Sequence, residues 1–274
     1  MSILQPIAQR LLLGPGPSNA HPRVLEAMSQ PLLGHLDPEF IALLDRLKAG
    51  LRTLFGTANE LTLPISATGS AGMEAALVNL LEPGDAVVVG VHGVFGGRMA
   101  EVARRAGAQV TSVEATWGTA LDPNAMAEAI ARVKPRAVSF VHAETSTGVC
   151  QPVEAIAASA RDHGALVILD CVTSLAGLPV ELDTWQIDAA YSGTQKCLSC
   201  APGLSPVSFS PRAVERVGKR RSPVQSWYLD LSLLAGYFAG ETRVYHHTAP
   251  ISAIYGLAAG VDQVLDEGLP ARFE

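Results

Sequence analysis

Short apolar runs rich in β-branched residues recur along this chain, separated by segments with helical spacing. The runs are LTLPIS (61–66), AVVVGV (86–91), QVTSV (109–113), RAVSFVH (136–142), ALVILD (165–170), IDAAYS (187–192) and LSPVSFS (204–210). Between them, GMEAALVNLL, GGRMAEVARRAG, PNAMAEAIARV and VEAIAASARDHG space their apolar residues three and four apart, and two of these segments close in Gly. Near-continuous apolar strands alternating with helices predict a three-layer α/β/α domain on a mainly parallel seven-stranded sheet. A last segment, ISAIYGLAAGVDQVLDEGLPARFE, predicts a long helix followed by a turn.

In such a sheet, ligands sit beyond the C-terminal ends of the strands. Thr68-Gly69-Ser70 follows the first run, Asp170 ends the fifth and Lys196 follows the sixth. Three polar features distant in sequence therefore converge on one edge. Each has an ordinary reading. SATGSAGMEAALVNLL (66–81) is either a plain helix N-cap or a phosphate cradle of helix N–H groups and the Thr68 and Ser70 hydroxyls. It is neither a P-loop nor a G-x-G-x-x-G turn. Asp170, at the end of a buried run, is either a helix N-cap or the partner of a protonated ring nitrogen. Lys196 alone would be a snorkelling surface residue. Together they are the three anchors that pyridoxal 5′-phosphate requires: an amine for the carbonyl, a carboxylate for the pyridine nitrogen and a helix N-terminus for the phosphate.

Composition narrows the alternatives. The 274 residues are 48% hydrophobic and 17% charged, with formal net charge −6, a balance that does not favour nucleic acid. The one basic cluster, Lys219-Arg220-Arg221, reads as a solvated loop. Four cysteines form no disulfide framework, and Cys197-x-x-Cys200 lacks the second pair that a zinc site needs. Both read as packing residues. Adjacent His246 and His247 point to opposite faces of an extended chain, so no metal site is expected. The N-terminus has no basic n-region and its apolar run is broken by Pro, Gln and Arg. Neither signal peptide nor membrane span is expected, and the cytoplasm is the default location.

The chain resembles the fold-type I, class V pyridoxal-phosphate aminotransferases, and within them the alanine–glyoxylate/serine–pyruvate aminotransferase family. The resemblance rests on GPGPSN (14–19), SATGSAGMEAALVNLLEPGD (66–85), ETSTGV (144–149), LDCVTSLAG (169–177), YSGTQKCLSCAPG (191–203) and YHHTAP (245–250), in the family's order. It implies that Lys196 is the Schiff-base lysine and Asp170 the pyridine-nitrogen carboxylate. Thr68, Gly69, Ser70 and Gln195 would hold the phosphate. Phe95 in HGVFGGR stands where the family stacks an aromatic on the ring, worth ~0.5–1.5 kcal/mol beyond area burial. Val172 would pack on the opposite ring face, and Thr145 would approach the ring hydroxyl. Pro15 and Gly16 belong to the substrate-side loop. Tyr245 and Thr248 would reach the phosphate of a neighbouring subunit, which implies a homodimer with shared sites.

The implied activity is transfer of an amino group from alanine or serine to glyoxylate or pyruvate. Two alternatives keep the cofactor: a class V cysteine desulfurase or lyase, which would need a mobile-loop cysteine, and a non-catalytic cofactor-binding fragment. The expected division is an N-terminal arm (1–20), a cofactor-binding large domain (21–250) and the start of a helix (251–274). The family continues into a C-terminal small domain of about a hundred residues, which supplies the arginine for the substrate carboxylate. The sequence stops before it.

Overall fold

A computed structural model describes residues 3, 5, 7–238 and 243–274. Residues 1, 2, 4 and 6, within the expected N-terminal arm, lie outside the described residues. Every predicted apolar run forms one strand of a seven-stranded sheet: β1 (Leu61–Ile65), β2 (Ala86–Val91), β3 (Gln109–Glu114), β4 (Ala137–Val141), β7 (Leu166–Asp170), β8 (Ala189–Tyr191) and β9 (Ser205–Phe209). A small hairpin, β5 (Ala143–Glu144) with β6 (Val149–Cys150), lies outside the sheet. The helices are α1 (Pro22–Met28), α2 (Pro38–Phe55), α3 (Gly69–Leu80), α4 (Val94–Arg105), α5 (Pro123–Val133), α6 (Glu154–Asp162), α7 (Pro211–Gly218), α8 (Leu231–Phe238), α9 (Ile251–Glu267) and α10 (Leu269–Phe273).

The strand order is β1-β9-β8-β7-β4-β2-β3. β3, β2, β4, β7 and β8 pair in parallel, whereas β9 runs antiparallel to both of its neighbours. The two reversals cancel, so β1 points the same way as β8 and ends on the same edge. The link from β8 to β9 holds no helix to carry the chain back across the sheet, so it returns as an antiparallel strand. That link is the lysine loop. The central strands are buried on both faces, as Val87, Val88, Val89, Val138, Phe140, Ile168 and Leu169 show.

Local chemistry sets the helix ends. The Asp37, Asp122 and Ser210 side chains cap α2, α5 and α7. The predicted glycine stops after α4 and α6 are Gly107 and Gly164, both at positive φ. The turn expected after α9 is Gly268, and the chain then re-enters a helix, α10. These last helices brace the lysine loop. A Cβ on Gly260 of α9 would stand 2.2 Å from Cys200 Sγ, so the glycine permits that close approach. Arg272 of α10 donates to the carbonyls of Ala176 at 2.7 Å and Cys197 at 2.5 Å.

The basic cluster differs from its sequence reading. Arg220 is not simply solvated: its Nη1 donates to the carbonyls of Val78, Asn79 and Leu81, which leaves α3 with satisfied C-terminal acceptors.

Candidate active site

Topology brings the ends of β1, β7 and β8 to one edge. Thr68, Gly69 and Ser70, expected at the phosphate, Phe95 and Val172, expected to flank the ring, and Asp170, Gln195 and Lys196 line one cavity of about 250 Å³. Asp170 is 2% exposed at the end of β7. It accepts from Val172 N–H at 2.8 Å and from the Tyr191 hydroxyl at 2.9 Å, with no cation among its hydrogen-bond partners. Burial pushes its carboxyl up to about 6, against the opposing effect of those two donors. The segment after it forms turns rather than a helix, so the helix N-cap reading of Asp170 fails.

Lys196 is half-buried, and burial lowers its ammonium's pKa from the usual lysine range. Its Nζ donates to the Pro15 carbonyl at 2.7 Å. Gly16 lies at φ +131°, and a Cβ there would come within 2.5 Å of the Lys196 side chain. The Pro15–Gly16 loop thus lies directly on the lysine. A second cavity of about 490 Å³ is lined by Lys196 together with Pro15, Gly16, Thr173, Cys197 and Arg272. Lys196 is common to both cavities.

At the other end, Thr68 is the N-cap residue of α3, yet its side chain makes no capping hydrogen bond. Its hydroxyl is left for the cavity. A Cβ on Gly69 would stand 3.3 Å from both the Ser192 carbonyl and Val172, which explains glycine at that position. Gln195 leaves its buried Oε1 without a partner.

Three residues of the site had no role in the sequence reading. Tyr191 holds Asp170, as above. Arg98 lines the cavity beside Phe95. Glu144, 1% exposed, caps α4 from a distance: its Oε2 accepts from Phe95 N–H at 3.1 Å and Gly96 N–H at 3.3 Å. Its Oε1 accepts from the Ser146 backbone and hydroxyl, and that hydroxyl accepts from Val94 N–H. Gly93, the α4 N-cap, has no side chain to do this, and a Cβ there would strike Glu144 at 2.4 Å. A glycine cap beside an ETS segment is the signal that could have found it. Glu144 therefore fixes the backbone that presents Phe95 to the cavity, and its charge adds to the upward push on Asp170.

Other predicted residues lie elsewhere. Thr145 does not line the cavity; its hydroxyl pairs with that of Thr173 beside the second cavity. Tyr245 is 57% exposed, against His35, and Thr248 is exposed. Neither reaches this chain's own cavity. His246 and His247 do not diverge as expected. Their segment is no strand, and their Nδ1 atoms meet at 2.8 Å. Cys197 Sγ contacts the Thr173 carbonyl, Cys200 Sγ the Leu198 carbonyl, and burial pushes both thiols up. Among the described residues no group of His, Cys, Asp or Glu is arranged to hold a metal ion.

The residues present fit pyridoxal 5′-phosphate. A buried carboxylate short of a cation matches a protonated pyridine nitrogen. An uncapped helix N-terminus and the free Thr68 hydroxyl match a phosphate, and Gln195 in the cavity lining carries an amide NH₂ that can donate. A lysine whose pKa is lowered matches an attacking amine.

The family model Aminotransferase class-V matches residues 10–270. The (S)-ureidoglycine–glyoxylate transaminase of Bacillus subtilis (strain 168) is 40% identical over 283 residues, covering 97% of this chain and 68% of that protein. The alanine–glyoxylate aminotransferase of Drosophila melanogaster is 40% identical over 268 residues, with the same coverage of 97% and 68%. Among solved structures, the alanine–glyoxylate aminotransferase of Nostoc sp. superposes with a TM-score of 0.97 at 46% identity, over 100% of this chain and 72% of that one.

Proposed function

The chain belongs to the class-V aminotransferases, and from that premise we propose that it moves an amino group from a small amino acid, alanine or serine, to glyoxylate or pyruvate. Its cofactor is pyridoxal 5′-phosphate. The observation that carries the reading is Asp170, a fully buried carboxylate that no cation hydrogen-bonds and that shares a cavity with Lys196. Of the two acceptors, glyoxylate has the support of both named relatives. They differ in the donor, so ureidoglycine is a second reading.

When bound, the cofactor supplies an electron-accepting ring and a carbonyl that carries the amino group between substrates. Lys196, whose ammonium pKa burial lowers, would hold the cofactor through its amine and would take up and return a proton at Nζ. Asp170 would hold a proton on the ring nitrogen by charge. Tyr191 and Val172 hold the Asp170 carboxylate in place. Phe95, set by Glu144, covers one side of the cavity, and Val172 lines it as well. The Pro15–Gly16 loop covers Lys196 on the side of the second cavity, where the substrate would enter.

We further propose a two-fold homodimer burying more than about 2,000 Å², with Tyr245 and Thr248 turned to the partner's phosphate. Their exposure, away from this chain's own cavity, supports it. The division into arm, large domain and connecting helix, and a cytosolic location, belong to the same proposal. No helix among the described residues is long and apolar enough to cross a membrane. The desulfurase alternative finds no support in Cys197, which is packed on the Thr173 carbonyl with its thiol pushed up.

The test is direct. Cofactor-loaded protein is given glyoxylate with alanine, serine or ureidoglycine, and glycine formation is followed. Glycine from alanine or serine supports the proposal, and glycine from ureidoglycine alone selects the second reading. Sulfide released from cysteine, with no glycine from any donor, overturns both.

A further inference from the structure

Arg98 is, besides Lys196, the one cationic side chain among the described residues lining the 250 Å³ cavity. It follows Phe95 by three positions on α4, so the two side chains leave the same face. Its guanidinium carbon lies 4.9 Å from the Phe95 ring centre, and its Nη1 donates to Ser70 Oγ at 3.4 Å. Ser70 stands in the first turn of α3. That contact places the guanidinium at the end of the cavity where the α3 N-terminus would receive a phosphate.

The charge balance there is incomplete without it. A phosphate monoester carries roughly −1.5 to −2 at neutral pH, and a helix N-terminus offsets about half a charge. Thr68, Ser70 and Gln195 are neutral donors. Lys196 is engaged by the Pro15 carbonyl, on the side of the second cavity. About one negative charge is left without a partner, in a cavity that the Asp170 carboxylate also lines.

We propose that Arg98 is the cationic partner of the cofactor phosphate, turning its guanidinium from Ser70 onto the phosphate oxygens. The planar fork of an arginine suits two oxygens of one phosphate, and the stacking on Phe95 holds it ready. This rests on the cavity taking pyridoxal 5′-phosphate. The same side chain thus contributes twice, to the phosphate by charge and to the ring-stacking residue by cation–π contact.

The experiment separates those two contributions by comparing ligands with and without the phosphate. Pyridoxal 5′-phosphate and pyridoxal are titrated into wild type, Arg98→Ala and Arg98→Lys, with binding read by quenching of protein fluorescence. Arg98 is exposed, and circular dichroism checks that each variant is folded. In Arg98→Ala the Kd for pyridoxal 5′-phosphate should rise on the order of tenfold, with the Kd for pyridoxal rising far less. Arg98→Lys should recover part of the loss. Added salt should weaken phosphate-ligand binding more in wild type than in Arg98→Ala. Equal weakening of both ligands would show that Arg98 acts only through Phe95, and no change in either would show that it does not act. Both results overturn the assignment alone. Wild type binding neither ligand would overturn the cofactor reading, and the assignment with it.

Discussion

Replacing Asp170 by Asn should stabilise the protein without cofactor while abolishing most of its transamination. The carboxyl is wholly buried, and its pKa is raised from 3.8 to about 6, chiefly by burial. Each pKa unit corresponds to ~1.4 kcal/mol, so the ionised side chain costs the folded apo state roughly 3 kcal/mol above pH 6. The sign follows from proton counts. Between about 6 and 3.8 the folded chain holds a proton that the unfolded chain has lost, so this contribution to stability is present below 3.8 and is lost as pH rises through 6. An amide bears no charge at any pH. It can accept the Val172 N–H bond, and the Tyr191 oxygen can accept from its NH₂, so both contacts survive. Urea unfolding of apo Asp170→Asn at pH 8 should therefore give a stability up to about 3 kcal/mol above wild type, shrinking to nothing near pH 4. With saturating pyridoxal 5′-phosphate the order should reverse, because only the carboxylate gains a cation. A variant less stable than wild type at pH 8, or a difference independent of pH, would refute the reasoning.

Gly16→Ala should lose ~1–3 kcal/mol through its positive φ, and its Cβ would push Lys196 aside. Cofactor attachment, followed by visible absorbance, should slow sharply. Gly14→Ala, with nothing within 4 Å, should change neither property. His142 has its pKa lowered from 6.5 to about 4 by burial. Its contribution to stability is present above 6.5 and is lost as pH falls toward 4, so His142→Phe should flatten the acid limb of the stability–pH curve. This slope opposes that of Asp170 over the same window, and the His142 effect should show most clearly in the Asp170→Asn background. Glu144→Gln should weaken the hold on the Phe95 and Gly96 amides by about 1 kcal/mol. It also removes a charge that raises Asp170, so the break near pH 6 in apo stability should move to lower pH.

The sheet was legible because its strands are buried on both faces and therefore stand out as continuous apolar runs. All seven strands fall within one residue of a predicted run or inside it. The direction of β9 was not visible. LSPVSFS reads the same in either orientation, and only the helix-free connection carrying Lys196 settles it. That Asp170, Lys196 and residues 68–70 meet at one cavity was legible because each sits at the end of a run, where topology must gather them. Glu144 and Arg98 were not, since a contact between Glu144 and the Phe95 amide spans 49 positions and leaves no periodic trace. His246 and His247 show the limit of periodic reasoning. Alternation holds in a strand, and their segment is irregular.

The most direct measurement is where the cofactor bonds. The protein is loaded with pyridoxal 5′-phosphate, reduced with borohydride and digested, and the pyridoxyl-bearing peptide is identified by mass spectrometry. Lys196, between the Asp170 cavity and the Pro15–Gly16 loop, should carry the group. The label on Lys48, Lys134 or Lys219 instead would contradict the assignment of this edge of the sheet as the active site.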